Sequence, residues 1–161
     1  MKMKKYLLML AATVMMTACV TLTPEQKAQL AKAVNKALDE RHYTIEIQTM
    51  SPQRGATKNV TGGWSLEVKG ETLVSYLPYV GRAYDVPYGG GKGLNFEAPI
   101  TKYKESKGKK NDRNIEIEVT NEEDTYIFYI TVFDNGRADI DVQPRERESI
   151  SYSGQLAMKK K

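Results

Sequence analysis

The chain has 161 residues, 40% of them apolar and 27% charged, which is an ordinary globular composition with length for one domain and no need of a disulfide or metal to hold a core. One Cys and one His exclude a Cys/His zinc or cluster site, so no metal or other cofactor is expected. The formal net charge of +4 owes most of its excess to Lys2, Lys4 and Lys5, so the rest of the chain is nearly neutral and makes no electrostatic case for nucleic acid.

Residues 1–5 are cationic, Tyr6 to Met16 form an apolar run too short to span a bilayer, and Thr17-Ala18 stands directly before the single Cys19. This order predicts a lipoprotein signal peptide over residues 1–18. Cys19 then becomes the lipidated first residue of a mature domain, 19–161, held to the membrane by its N-terminal lipid. A lipid on Cys19 also takes the only thiol out of redox or nucleophilic chemistry. No acidic run follows Cys19, which favours a periplasmic-facing location in the cell envelope.

Thr23-Pro24-Glu25-Gln26 supplies an N-cap, a Pro at the first helical position and a capping-box Gln, predicting a helix over about 24–40. Its narrow stripe of Leu30, Val34, Ala37 and Leu38 either packs on a sheet or leaves the helix as a tether. From His42 the period changes to two. Tyr43, Ile45 and Ile47 mark one strand, and Trp64, Leu66 and Val68 another, with a loop at 51–56 between them. Lys69-Gly70-Glu71 turns the chain into a strand at 72–77, a further strand runs from Leu94 to Tyr103, and the basic run from Lys104 to Arg113 reads as a solvated hairpin tip.

Register is sharpest in the C-terminal third. A two-residue Asn135-Gly136 turn would oppose Val132 to Asp139 and mix acids into the apolar row. A three-residue Asp134-Asn135-Gly136 loop with Gly136 left-handed opposes Val132 to Ala138 and Ile130 to Ile140 instead. One face then collects Ile115, Ile117, Val119, Tyr126, Phe128, Ile130, Val132, Ala138, Ile140 and Val142; the other carries Glu116, Glu118, Tyr129, Thr131, Asp139 and Asp141. A last strand follows Pro144, with Ile150, Tyr152, Leu156 and Met158 apolar. The fold class is therefore mainly β: one N-terminal helix and seven or eight antiparallel strands in a strongly bent sheet, sandwich or partly closed barrel.

The densest segment is Tyr76 to Gly93, which reads YLPYVGRAYDVPYGGGKG. With the later Phe96 and the closing Ile150-Ser151-Tyr152-Ser153-Gly154, it resembles the Bacteroidetes exported lipoprotein family classed as domain of unknown function 4251. The resemblance implies one-domain exported lipoproteins and brings no activity or catalytic residue with it. Gly89-Gly90-Gly91-Lys92-Gly93 is not a phosphate loop, because Val86 stands where the first Gly is needed and Gly93 replaces the Ser/Thr after the Lys.

Tyr79, Arg82, Tyr84, Tyr88 and Lys92 are the candidate ligand-binding residues, since Tyr gives contact area at low rotamer cost and Arg clamps carboxylates or stacks on rings. The same tyrosines would equally build a packed aromatic corner. Glu116 and Asp141 flank Tyr129 across three strands, roughly 9–10 Å apart. That spacing is near the upper limit for an inverting glycosidase pair, but the row lies on a solvated face. His42 has no catalytic partner in sequence. The expectation is a non-enzymatic binding module for a small molecule, glycan or envelope protein, the alternatives being a structural or assembly role with the Tyr-rich segment as core, or an enzyme on envelope glycans.

Overall fold

A computed structural model describes residues 22–84, 93–109 and 111–158. Helix α1 spans Pro24–Asp39, with Thr23 Oγ1 accepting from the Gln26 amide at 3.2 Å and Gln26 Oε1 accepting from the Thr23 amide at 2.9 Å, the reciprocal capping box. Val34 and Leu38 are buried and Leu30 and Ala37 partly so, which decides for packing over a loose tether. Past the helix the chain reverses at Arg41, whose φ of 50° lies in the left-handed region.

Nine strands follow: β1 His42–Pro52, β2 Lys58–Asn59, β3 Ser65–Lys69, β4 Thr72–Leu77, β5 Leu94–Lys107, β6 Arg113–Thr120, β7 Thr125–Val132, β8 Arg137–Pro144 and β9 Ile150–Leu156. From β3 to β9 each strand pairs antiparallel with the next. β1 pairs with β3 along one edge from His42 to Glu46 and with β9 along the other from Ile45 to Pro52, through a bulge between Ile47 and Thr49. That double pairing closes an eight-stranded antiparallel barrel. The short β2 folds back on Thr49 and Met50, beyond the reach of β3 on that edge of β1.

An eight-stranded barrel is just wide enough for its inward side chains to fill it. Ile45, Leu66, Leu73, Leu94, Ile117, Phe128 and Ile140 are among those wholly buried. The expected register holds in β6 to β8: Val132 pairs with Ala138, Ile130 with Ile140 and Glu116 with Tyr129. The β7–β8 turn is the bulged one, with Gly136 at φ 78° and its amide donating to Phe133 O at 2.8 Å.

Four sequence expectations are corrected. β1 continues through Pro52, where a loop was expected from Ser51, because β9 supplies partners as far as Ile150. β5 continues through Lys107, since β6 offers a ladder to its polar end. Trp64 precedes β3, where it was expected inside the strand; it stacks on the exposed Tyr76, centroids 4.5 Å apart, and still packs partly against the core. Arg113 is no solvated tip residue: its side chain is mostly buried and holds α1 against the barrel, donating to Asp39 Oδ1 at 2.8 Å and Asn35 Oδ1 at 3.1 Å and pairing with Glu105.

The strand directions sort the connections into two ends. α1, the β3–β4 turn and the β5–β6 and β7–β8 connections lie at one. The described part of the β4–β5 connection, with Tyr79 and Tyr84, lies at the other together with the β6–β7 and β8–β9 loops.

Candidate functional site

At the end away from α1, the chain leaving β4 crosses the barrel mouth and pairs with the β8–β9 connection. Ala83 forms an antiparallel bridge with Arg147, the Tyr84 amide donates to Glu146 O at 2.7 Å, and the Glu148 amide donates to Arg82 O at 2.9 Å. Residues 82–84 are thus extended backbone on a fixed partner. Period two then puts Arg82 and Tyr84 on one side and Ala83 on the other.

Beneath this ribbon lies a packed polar layer. Glu148, 5% exposed, accepts from the Arg82 amide at 3.1 Å and pairs with Arg54 Nε at 3.2 Å. The buried Asp124 carboxylate accepts from the amides of Thr125 at 2.7 Å, Arg145 at 3.0 Å and Glu146 at 3.1 Å, tying the β6–β7 loop to the β8–β9 loop. Such charge-assisted bonds to backbone offset the cost of burying a carboxylate. Arg147 donates to Glu123 Oε2 at 2.9 Å and lies 5.9 Å from the Tyr79 ring centroid, over its face.

Tyrosine hydroxyls complete the layer. Tyr79 donates to Glu148 O at 2.9 Å and Tyr152 to Pro78 O at 2.6 Å. Burial pushes both phenols above their ordinary range. A Cβ on Gly81 would stand 2.5 Å from the Tyr79 hydroxyl, so a larger residue there must push the end of that ring from its present place.

The candidate residues therefore divide. Tyr79 is a tie inside the fold, as an aromatic corner would be. Arg82 is exposed, and Tyr84, 69% exposed, is the most exposed large apolar residue among those described, beside Val80 at 47%. Cys19, Tyr88 and Lys92 lie outside the described residues. Asp124, Arg147 and Glu148 were not singled out from the sequence. The run Arg145-Glu146-Arg147-Glu148 reads as a solvated face, and the one local signal was Asn121, whose side chain accepts from the Glu123 and Asp124 amides as an Asx turn.

Elsewhere, His42 is exposed with Nδ1 2.9 Å from Glu40 O, and Glu116 is held ionised by Lys102, whose ammonium donates to it at 2.7 Å and lowers its pKa. A general acid needs the opposite shift. Among the described residues no group of three His, Cys, Asp or Glu is placed to hold a metal, and no helix is long and apolar enough to cross a membrane.

The fold is similar to the crystal structure of a DUF4251 family protein from Bacteroides eggerthii DSM 20697, with a TM-score of 0.64 and 18% identity over 81% of this chain and 91% of that one. At that identity the likeness speaks for the fold alone. No curated protein matches the chain. The family model of the domain of unknown function DUF4251 matches residues 25–156, the helix and the whole barrel, and the chain belongs to that family.

Proposed function

We propose that the chain is a lipid-anchored envelope protein, periplasmic-facing, that presents the barrel end opposite α1 as a non-enzymatic binding surface. The observation that carries this is the fixed display of Arg82 and Tyr84: exposed side chains on a segment whose backbone is bonded to Glu146 and Glu148. An exposed ring and guanidinium on a rigid base lose little entropy on binding, and Tyr and Arg are the residue types that dominate protein interfaces. With the exposed Val80 two residues before Arg82 in the chain, they suit an envelope protein partner.

Orientation supports the same reading. α1 begins five residues after Cys19, so a lipid there tethers the barrel by its helix end and leaves the Tyr-rich end facing away from the bilayer. Two measurements test it. Cys19→Ala should leave the domain folded and move it out of the membrane fraction; a variant that still partitions with membranes, with no lipid mass on the N-terminal peptide, refutes the anchor. Arg82→Ala/Tyr84→Ala should melt within about 2 °C of the parent, as surface changes do, yet lose the protein that the acylated parent captures by cross-linking in envelope extract. A large loss of stability with capture retained refutes the binding surface.

A further inference from the structure

The outer wall of the barrel carries a second feature, far from the Tyr-rich end. Cross-strand pairs Lys104–Glu116, Glu116–Tyr129, Tyr129–Asp141 and Asp141–Ser151 form one continuous row around the outside of β5 to β9. Ser106, Asn114 and Thr131 form a parallel row two residues along. Between them lies a depression of about 550 Å³, lined by Lys104, Ser106, Asn114, Glu116, Tyr129 and Thr131. That volume lies within the range of small-ligand sites.

Tyr129, 39% exposed, is the aromatic ring in this wall. Its polar neighbours are held in place by one another. Lys102 donates to Glu116, Thr131 Oγ1 donates to Asn114 Oδ1 at 3.0 Å, Asn114 Nδ2 donates to Asp112 Oδ2 at 3.2 Å, and Ser151 donates to Asp141. Side chains already fixed by such bonds lose little freedom when a ligand arrives.

We infer that this depression, together with Asp141 on the neighbouring strand, binds a pyranose glycan, with the sugar's C–H face on the Tyr129 ring and its hydroxyls on Glu116, Lys104 and Asp141. Three observations select that chemistry. A single exposed ring within a polar field matches a ligand with one apolar face and a rim of hydroxyls, whereas a protein partner would call for a wider apolar core. The two carboxylates that line it are each paired, Glu116 with Lys102 and Glu105 with Arg113, and Lys104 stands beside them, so nothing here selects a strongly charged ligand. Glu116 and Asp141 stand on either side of the ring as cross-strand neighbours, where each accepts from a hydroxyl of a sugar lying on it. Glu116, kept ionised by Lys102, serves here as an acceptor.

The test is an array of neutral and N-acetylated pyranose oligosaccharides, probed with the Cys19→Ala chain and followed by calorimetric titration of the retained sugars. Tyr129→Ala should lower the affinity at least about tenfold, Tyr129→Trp should keep it, and Asp141→Ala should lower it several-fold. All three should melt with the parent, because these side chains point outward. Tyr84→Ala, at the other end of the barrel, should leave sugar binding unchanged. The inference is overturned if no pyranose is retained, if Tyr129→Ala binds as the parent does, or if Tyr84→Ala abolishes the binding. Loss of partner capture in the Arg82→Ala/Tyr84→Ala variant with sugar binding intact would leave both readings standing, and a silent array would remove this one alone.

Discussion

Barrel closure rests on Gly154, and Gly154→Ala should open it. This residue pairs with Ile47 of β1 on one side and Ala138 of β8 on the other. An added Cβ would fall well inside contact distance of the Glu46 carbonyl oxygen, 3.0 Å from the Glu46 carbonyl carbon and 3.2 Å from Ile45 Cγ2. The obstacle is mostly backbone, which cannot swing away as a long side chain can, so β1 and β9 must separate locally. Overpacking of this kind costs about 1–3 kcal/mol, and stretching two ladder hydrogen bonds adds about 1 kcal/mol each. A total of about 3–5 kcal/mol is a large share of the 5–15 kcal/mol typical of a domain, and at about 2–4 °C per kcal/mol it lowers Tm by about 6–20 °C. Thermal denaturation followed by circular dichroism reads the shift, and hydrogen exchange should show the β1 and β9 amides losing protection before those of β6 and β7. Ser153→Ala, which removes only the hydroxyl contact with Thr49, is the control and should cost about 1 kcal/mol or less. A Gly154→Ala variant melting within about 2 °C of the parent would refute the closure argument.

Phe128→Ala should cost about 3–5 kcal/mol by chemical denaturation, because the ring is wholly buried, while Asp141→Asn should stay within about 0.5 kcal/mol; equal effects would refute the register. Asp124→Ala leaves three backbone amides without their carboxylate, and a loss of at least about 3 kcal/mol is expected in the same assay. Stability should also fall in alkali. Burial is the main cause that raises the phenols of Tyr43, Tyr79, Tyr103, Tyr126 and Tyr152, so the native state keeps protons that the unfolded chain gives up from about pH 10. Above that pH the native state binds more protons than the unfolded one and stability declines as pH rises; below it the phenols contribute no slope. Urea midpoints measured beside phenolate absorbance check this, and Tyr152→Phe should reduce the alkaline slope while losing the bond to Pro78 O.

Much of the fold was legible in local sequence. Thr23, Pro24 and Gln26 determine where α1 starts, because a capping box satisfies its own amides whatever the rest of the chain does. The β7–β8 register followed from Asp134-Asn135-Gly136 and the demand that Asp139 stay out of the apolar row, a constraint contained within eleven residues from Ile130 to Ile140. The row Glu116–Tyr129–Asp141 was legible for the same reason. Exposure along the Tyr-rich segment was not: Tyr79 and Tyr84 are the same residue type in the same segment, yet one hydroxyl is tied to Glu148 and the other ring stands in solvent.

What the tertiary structure alone decided are the contacts between distant parts of the chain. Closure joins β1 to β9, about a hundred residues apart, and period-two alternation reads the same in a closed barrel and an open sheet. Arg113 in a lysine-rich run, and Arg147 and Glu148 in an alternating charged run, have nothing beside them to mark them as buried. A charge goes inside only where a partner from another element meets it, Asp39 for Arg113, Glu123 for Arg147 and Arg54 for Glu148. Local sequence sets how a strand alternates and where a helix begins, because those preferences act within a few residues; long-range pairing and the burial of charge depend on partners that only the closed barrel brings together.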